Sequence, residues 1–307
     1  MGISRRKFIS RSAMGSLAIP FAKSNFNTEN LADKQVTNPQ ETFSVLCLGS
    51  GAADWDIKKY PQDKDILLSG AYRGQSSILI NNSILVDCGI TVPAALDIFG
   101  VNVDTITDIV ITHTHGDHFN IESIKRIESK RSKQNKLNLW IEYRAASYFK
   151  TLEKDTGCAV KPVKCFERFS INEIEIMPVE ANHFRADTGE QCLHYIFTTA
   201  NKSLFYALDG GWLTTKTWNL LKKIKLDAII WDATWSSDVY YCIFSHNSIP
   251  AIHLMKKQLF KDQVLIPNSK VIVSHLSKNS HPSHGNVATN MKTEQIITAY
   301  DGAKFSI

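Results

Sequence analysis

Thr112-His113-Thr114-His115-Gly116-Asp117-His118 packs three imidazoles and a carboxylate into six residues. Directly ahead of it runs Asp108-Ile109-Val110-Ile111, apolar and β-branched, which reads as a buried strand that ends where the cluster begins. At a strand end, side chains can converge on a ligand while the backbone behind them stays rigid. Imidazole and carboxylate are the donors that Zn, Fe or Mn take. Burying so many polar groups without a metal would leave several of them unpaired, at a cost in stability. The helical zinc-protease pattern H-E-x-x-H is absent, and the histidines here are spaced by two rather than four.

Composition narrows the function classes. The chain has 307 residues, 43% of them hydrophobic, and no stretch approaches the ~18 apolar residues of a membrane span. The net charge is +5. Residues 1–40 carry Arg5, Arg6, Lys7, Arg11, Lys23 and Lys34 against Glu29 and Asp33, a balance of +4, which leaves +1 for residues 41–307. A near-neutral body gives no support to nucleic-acid binding. Ser4-Arg5-Arg6-Lys7-Phe8-Ile9-Ser10, followed by the weakly apolar Ala13 to Ala22, resembles a twin-arginine export signal. That resemblance implies a signal over 1–22, passage through the twin-arginine machinery and a periplasmic or secreted location. Residues 23–41, rich in Asn, Gln, Thr and Lys, read as a solvated linker ahead of a single domain over 42–307. The cysteines, Cys47, Cys88, Cys158, Cys165, Cys192 and Cys242, form no C-x-x-C. Most read as small buried residues in strands, with Cys158 and Cys165 the pair to check for a disulfide.

Strands and helices alternate along the body. Phe43 to Leu48 reads as a strand, and Ser77–Asn81 with Ile84–Cys88 as a hairpin. Residues 54–72 read as a long polar loop. Helices are expected over about 91–99, 121–133 (capped by Asn120), 212–224 and 249–260 (capped by Ser248, with Pro250 in its first turn). Ile171 to Met177 alternates as one strand, Tyr195–Thr199 and Leu204–Leu208 pair as a hairpin, and 227–232, 271–274 and 303–307 complete the strands. Pattern alone supports one α/β domain.

H-x-H-x-D-H after a hydrophobic strand resembles the metallo-β-lactamase superfamily, and the branch it most resembles holds the cyclic phosphodiesterase of the carbon–phosphorus lyase pathway and ribonuclease Z. The resemblance implies a four-layer αβ/βα sandwich over 42–307. It implies two divalent metal ions, with Zn foremost and Mn or Fe as alternatives. His113, His115 and His183 would hold one, Asp117, His118 and His275 the other, and Asp209 would bridge them. The carriers of that likeness are Val179-Glu-Ala-Asn-His183, Leu204-Phe-Tyr-Ala-Leu-Asp209 and Val271-Ile-Val-Ser-His275. Asp at 209, where zinc β-lactamases of the superfamily have Cys, implies a dinuclear centre of the phosphodiesterase or thioesterase kind, and together with His246 it shifts the weight from β-lactam toward phosphodiester chemistry. Asp87 matches the family's strand-end Asp that orients a ligand imidazole.

The implied reaction is hydrolysis of small, anionic, in some cases cyclic, phosphodiesters by a metal-bridged hydroxide. Asp117 and His246 are the candidate catalytic residues, His246 as general acid, with Asp232 a candidate to orient either His246 or a metal ligand. Lactone, thioester or β-lactam hydrolysis on the same fold is the alternative, with an iron-dependent oxidoreductase beyond it. Arg73, in Arg73-Gly-Gln-Ser76-Ser77, is a candidate contact for an anionic substrate. His281 and His284 read as loop residues near the pocket, His194 and His253 as structural. The relatives' Cys-rich zinc site and tRNA-clamping arm have no counterpart here, so no nucleic-acid partner is expected. Oligomeric state is not legible.

Overall fold

Alternation along the strands sorts the apolar side chains into separate layers. In the computed structural model, which describes residues 42–132, 134–237 and 244–307, β1 is Ser44–Gly49. Its Val45 and Cys47 point into one apolar cluster, and Leu46 and Leu48 point into another. With a side-chain period of two, a strand buried on both faces must serve two cores.

The other strands are β2 Ser77–Ile80, β3 Ile84–Val86, β4 Asp108–Val110, β5 Asn138–Glu142, β6 Ala159–Val163 and β7 Phe169–Ile171. They continue with β8 Ile174–Glu180, β9 Leu193–Thr198, β10 Ser203–Ala207, β11 Leu226–Asp232, β12 Leu265–Ser274, β13 Ile296–Thr298 and β14 Lys304–Ser306. They form two seven-stranded sheets, ordered β14-β1-β2-β3-β4-β5-β6 and β13-β12-β11-β10-β9-β8-β7. Each sheet is antiparallel in one part and parallel in the other: β3 to β6 run parallel in the first, β10 to β13 in the second.

The shared core between the sheets joins Val45, Ile78, Val86 and Val110 to Tyr195, Phe197, Tyr206 and Ile230. Outside the first sheet, helices Val92–Ile98 and Ile121–Lys130 seat Leu96, Ile124 and Ile127 against Leu85, Ile109 and Leu139. Outside the second sheet, helix Ile249–Lys261 seats Ile252, Met255 and Leu259 against Ile229, Trp231 and Val273. Each such fully buried aliphatic or aromatic side chain stabilises by roughly 1.5–3 kcal/mol. This is the four-layer αβ/βα sandwich.

Asn120 caps its helix by accepting from Ser123 N, and Ser248 caps the later one by accepting from Ala251 N. Residues 303–307 do end as an edge strand, β14 on β1. Several expected boundaries change. Ile171 to Met177 is not one strand. It splits into β7 and β8 because Asn172 takes a left-handed φ of 52° and turns the chain. Residues 54–72 are not a bare loop. They hold a short 3₁₀ turn, Ile57–Lys59, and the helix Lys64–Leu68, capped by Asp56 and Asp63. His284 is not in a loop but opens helix His284–Thr293. The helix expected over 212–224 is confined to Thr215–Leu221.

Cys47, Cys88, Cys158, Cys165 and Cys192 are free thiols, so Cys158 and Cys165 are not bridged. Cys242 and the segments 1–22 and 23–41 lie outside the described residues. Among the described residues no helix is long and apolar enough to cross a membrane.

Candidate metal centre

Ligands of open α/β sheets sit beyond the carboxyl ends of strands. Here β4 runs out into His113 to His118, β8 into His183, β10 into Asp209, β11 into Asp232 and β12 into His275. Several of these ends share one backbone device. Asp87, Asp209 and His275 take left-handed φ values of 63°, 51° and 60°. For non-glycine residues this conformation costs about 1–3 kcal/mol each, and such strain gathers at functional sites. It turns each side chain sideways off its strand toward a common point.

Among the described residues the side chains converge into three overlapping groups able to hold a metal ion. The first is His113, His115, His183 and Asp209, the second is Asp117, His118, Asp209 and His275, and the third joins Asp232 and His246 to Asp209 and His275. In the first, His113 Nε2 lies 2.8 Å from His115 Nδ1, which lies 3.1 Å from His183 Nε2. Asp209 Oδ2 is 3.2 Å from His113 Nε2 and 3.3 Å from His118 Nε2, so it faces both the first group and the second. In the second, His118 Nε2 is 3.4 Å from Asp117 Oδ2 and 3.4 Å from His275 Nε2. Asp209 Oδ1 is 2.6 Å from His275 Nε2, yet makes no hydrogen bond of acceptable geometry and is buried. Imidazole nitrogens crowded on one another, with a buried carboxylate oxygen left over, are what a cation would satisfy. The donor set, neutral nitrogen with carboxylate oxygen, suits a transition metal.

The far nitrogens of four of the imidazoles are each held. His113 Nδ1 meets Thr112 Oγ1 at 3.0 Å, and His118 Nδ1 meets Asp87 Oδ2 at 2.8 Å. His183 Nδ1 meets the Ser245 carbonyl at 2.8 Å, and His275 Nδ1 meets Thr234 Oγ1 at 2.8 Å. Such outer partners fix ring orientation and tautomer. Asp87 is itself fixed by Thr112 N at 2.8 Å. Glu190 accepts from Thr114 N at 2.9 Å and Thr114 Oγ1 at 2.6 Å, which sets the backbone between His113 and His115. Glu190, Thr234 and Ser245 were not legible in the sequence. Each belongs to a segment remote from its partner, and none carries a local motif.

The site's charges are arranged by burial and mutual neighbours. Burial opposes charge on His118, but Asp209, Asp117 and Asp87 outweigh it and raise the ring well above its ordinary value. Burial dominates at His113, with His118 adding to it, and holds the ring well below. Burial works against ionisation of Asp209, yet His275 and His118 hold its carboxyl well below the usual range.

His246, of the third group, sits beside the other two, with its Nδ1 3.0 Å from Asp232 Oδ2 and its ring stacked 5.5 Å from that of His275. Burial disfavours its charge, and Asp232 more than compensates, so its proton affinity is raised. Asp232 is fully buried and its Oδ1 accepts from Thr234 N and Asn247 N. A cavity of about 470 Å³ opens over the cluster, lined by Asp54, His115, Asp117, His183, Asp209 and His246 among others. Asp54 is tied to the loop after His275, accepting from Ser277 Oγ at 2.7 Å and Lys278 N at 3.0 Å.

Other expected site residues stand elsewhere. Arg73 is not a substrate contact at this cavity. Its guanidinium is buried and donates to Ser50 Oγ, the Ala299 carbonyl and His284 Nδ1. With His281 and His284 it lines a separate cavity of about 330 Å³. His194 and His253 lie in β9 and helix Ile249–Lys261.

Two packed mixed sheets with a His/Asp cluster at their strand ends define a protein of the metallo-β-lactamase fold. Solved structures agree on the fold. The metallo-β-lactamase fold protein YhfI from Bacillus subtilis aligns with a TM-score of 0.66 at 16% identity, over 87% of this chain and 100% of that one. A diphosphatase from the PhnP family aligns with a TM-score of 0.66 at 17% identity, over 87% of this chain and 97% of that one. Within that fold, the family model "Anti-Pycsar protein Apyc1" matches residues 71–250, and the chain belongs to that family. The Anti-Pycsar protein Apyc1 of Paenibacillus sp. (strain J14) is 39% identical over 71 residues, 23% of this chain and 24% of that protein. That match spans about a quarter of the curated relative's length.

Proposed function

We propose that this chain is a metal-dependent hydrolase of small anionic phosphodiesters, cyclic ones among them, working with two divalent ions. The observation that carries the reading is Asp209, one carboxylate facing both ligand groups within 3.2–3.3 Å of an imidazole in each. His113, His115 and His183 would hold one ion, and Asp117, His118 and His275 the other. Zn suits the donor set best, with Mn and Fe as alternatives. The ions, when bound, supply charge neutralisation for the substrate's oxygens and a water of lowered pKa.

The chain's own residues do the rest. Asp117 is assigned a double role: it binds, and at the cavity wall it accepts a hydrogen bond from the attacking water. His246 is the proton donor to the leaving oxygen. Asp232 takes its Nδ1, which leaves Nε2 for the substrate, and the proton affinity that Asp232 raises favours the protonated ring a donor needs. The PhnP-family neighbour is named a diphosphatase, an activity at phosphorus rather than carbon, which favours phosphodiesters over lactones, thioesters and β-lactams. Ser4-Arg5-Arg6-Lys7 supports carriage by the twin-arginine machinery, so we place the working site outside the cytoplasm.

The test is a substrate panel. Protein loaded separately with Zn, Mn and Fe is offered an activated phosphodiester, 3′,5′-cyclic nucleotides, a lactone and a thioester. Turnover of the phosphodiesters is expected. Turnover confined to the carbon esters, or none with any metal, overturns the reading.

A further inference from the structure

Gly210 follows Asp209, and only glycine fits there. A Cβ at this position would lie 2.5 Å from both Cε1 and Nε2 of His194, closer than real Cβ contacts come. The neighbour is no flexible chain end. His194 is fully buried in β9, with its ring edge-on to Phe205 at 5.7 Å. Neither of its ring nitrogens makes a hydrogen bond of good geometry, and the polar group it faces is the backbone of Asp209. A buried imidazole so weakly partnered disfavours the fold, and a small apolar residue would be better tolerated on that ground.

The turn that rests on this ring is stitched on its other sides. Gly210 N reaches Asp232 Oδ2 at 3.4 Å, and Gly211 N donates to the Asn182 carbonyl at 3.0 Å, next to His183. The turn is therefore held both by these hydrogen bonds and by contact with the imidazole. Asp209 itself has its left-handed φ of 51°, so a small shift of the following residue swings its carboxylate.

We propose that His194 is a positioning residue: its ring is the floor on which Gly210 sits, and so sets the height at which Asp209 spans the two ligand groups. His194 and Gly210 then form a matched pair. The five-membered ring reaches just far enough to support a bare backbone, and no further atom fits between. This role rests on the reading of Asp209 as a shared ligand.

The experiment is a double-mutant cycle read by metal binding, not turnover. Wild type, Gly210→Ala, His194→Ala and the double variant are each titrated with Zn against a chromophoric chelator. In parallel, each is melted with and without metal. Displacing a residue that orients a metal ligand weakens binding by roughly 10–100-fold, and that loss is expected for Gly210→Ala. The double variant should bind at least tenfold tighter than Gly210→Ala alone, because removing the ring makes room for the added methyl. His194→Phe, whose ring reaches further toward Gly210, should behave like Gly210→Ala. Losses that simply multiply in the double variant, or a Gly210→Ala protein that binds as wild type does, overturn the proposal. If Gly210→Ala does not fold, the comparison moves to His194→Ala with and without Gly210→Ala. Equal binding supports the pair, and a further loss overturns it. A wild-type chain that binds no metal would sink the reading of the centre itself, an outcome distinct from a failed cycle.

Discussion

The two ligand groups of the centre are built differently. Asp117, His118, Asp209 and His275 are all buried, whereas His115 of the other group is only part-buried at the cavity wall. In the buried group the carboxylate of Asp87 braces His118, while Thr234 Oγ1 holds His275 with Asp232 Oδ2 3.7 Å away. The open group is braced by neutral atoms, Thr112 Oγ1 and the Ser245 carbonyl. A carboxylate behind an imidazole raises its basicity as a ligand more than a hydroxyl or carbonyl does.

The largest expected effect removes what the two groups share. Asp209→Ala should abolish phosphodiester turnover and lower the metal content of purified protein, measured by elemental analysis. An undiminished metal content would separate the two groups and break the comparison. His246→Ala comes next. It should lower kcat by roughly 10²–10⁴-fold while leaving metal content intact, because its partner is Asp232 and not a ligand. Lost metal would move His246 into the ligand set. Asp87→Ala should weaken one metal-binding step by roughly 10–100-fold, and Thr112→Val should weaken the other by less, both read by chelator competition. Equal losses would remove the distinction between charged and neutral bracing.

The smallest effect lies outside the centre, in a buried carboxylate with no ligand imidazole beside it. Burial raises Asp301 to about 7, against hydrogen bonds from Gly74 N and Ser50 Oγ and the charge of Arg73. Between about 4, where the unfolded carboxyl ionises, and about 7, the folded chain holds a proton that the unfolded chain has lost. This group's contribution to stability therefore falls as pH rises through that window and is flat above it. Urea midpoints between pH 4.5 and 8 should decline less steeply in Asp301→Asn than in wild type; parallel curves would contradict the assignment.

Legibility followed how local each feature is. His113 to His118 announce themselves because the ligands are contiguous and follow a β-branched strand. His183, Asp209 and His275 were found through the family likeness of their strand ends, since each alone is an ordinary residue. The left-handed turns at Asp87, Asp209 and His275 were not visible, because these residue types occur in every backbone region. Helix His284–Thr293 was missed because Gly285, Asn286, Thr289 and Asn290 are weak helix formers. It forms because Val287 and Met291 are seated in the outer core of the second sheet. The turn at Asn172 hid inside an alternating pattern that both halves of the hairpin satisfy. Arg73 looked like an anion contact by its residue type, and only tertiary packing shows it bonded to Ser50, Ala299 and His284.

The central claim is that two cations, joined by Asp209, act together on a phosphodiester. Stepwise addition of Zn to metal-stripped protein, with hydrolysis of an activated phosphodiester followed at each step, tests it most directly. Activity should stay low through the first equivalent, rise with the second and then saturate. Full activity at one equivalent, or none at any, would contradict the account.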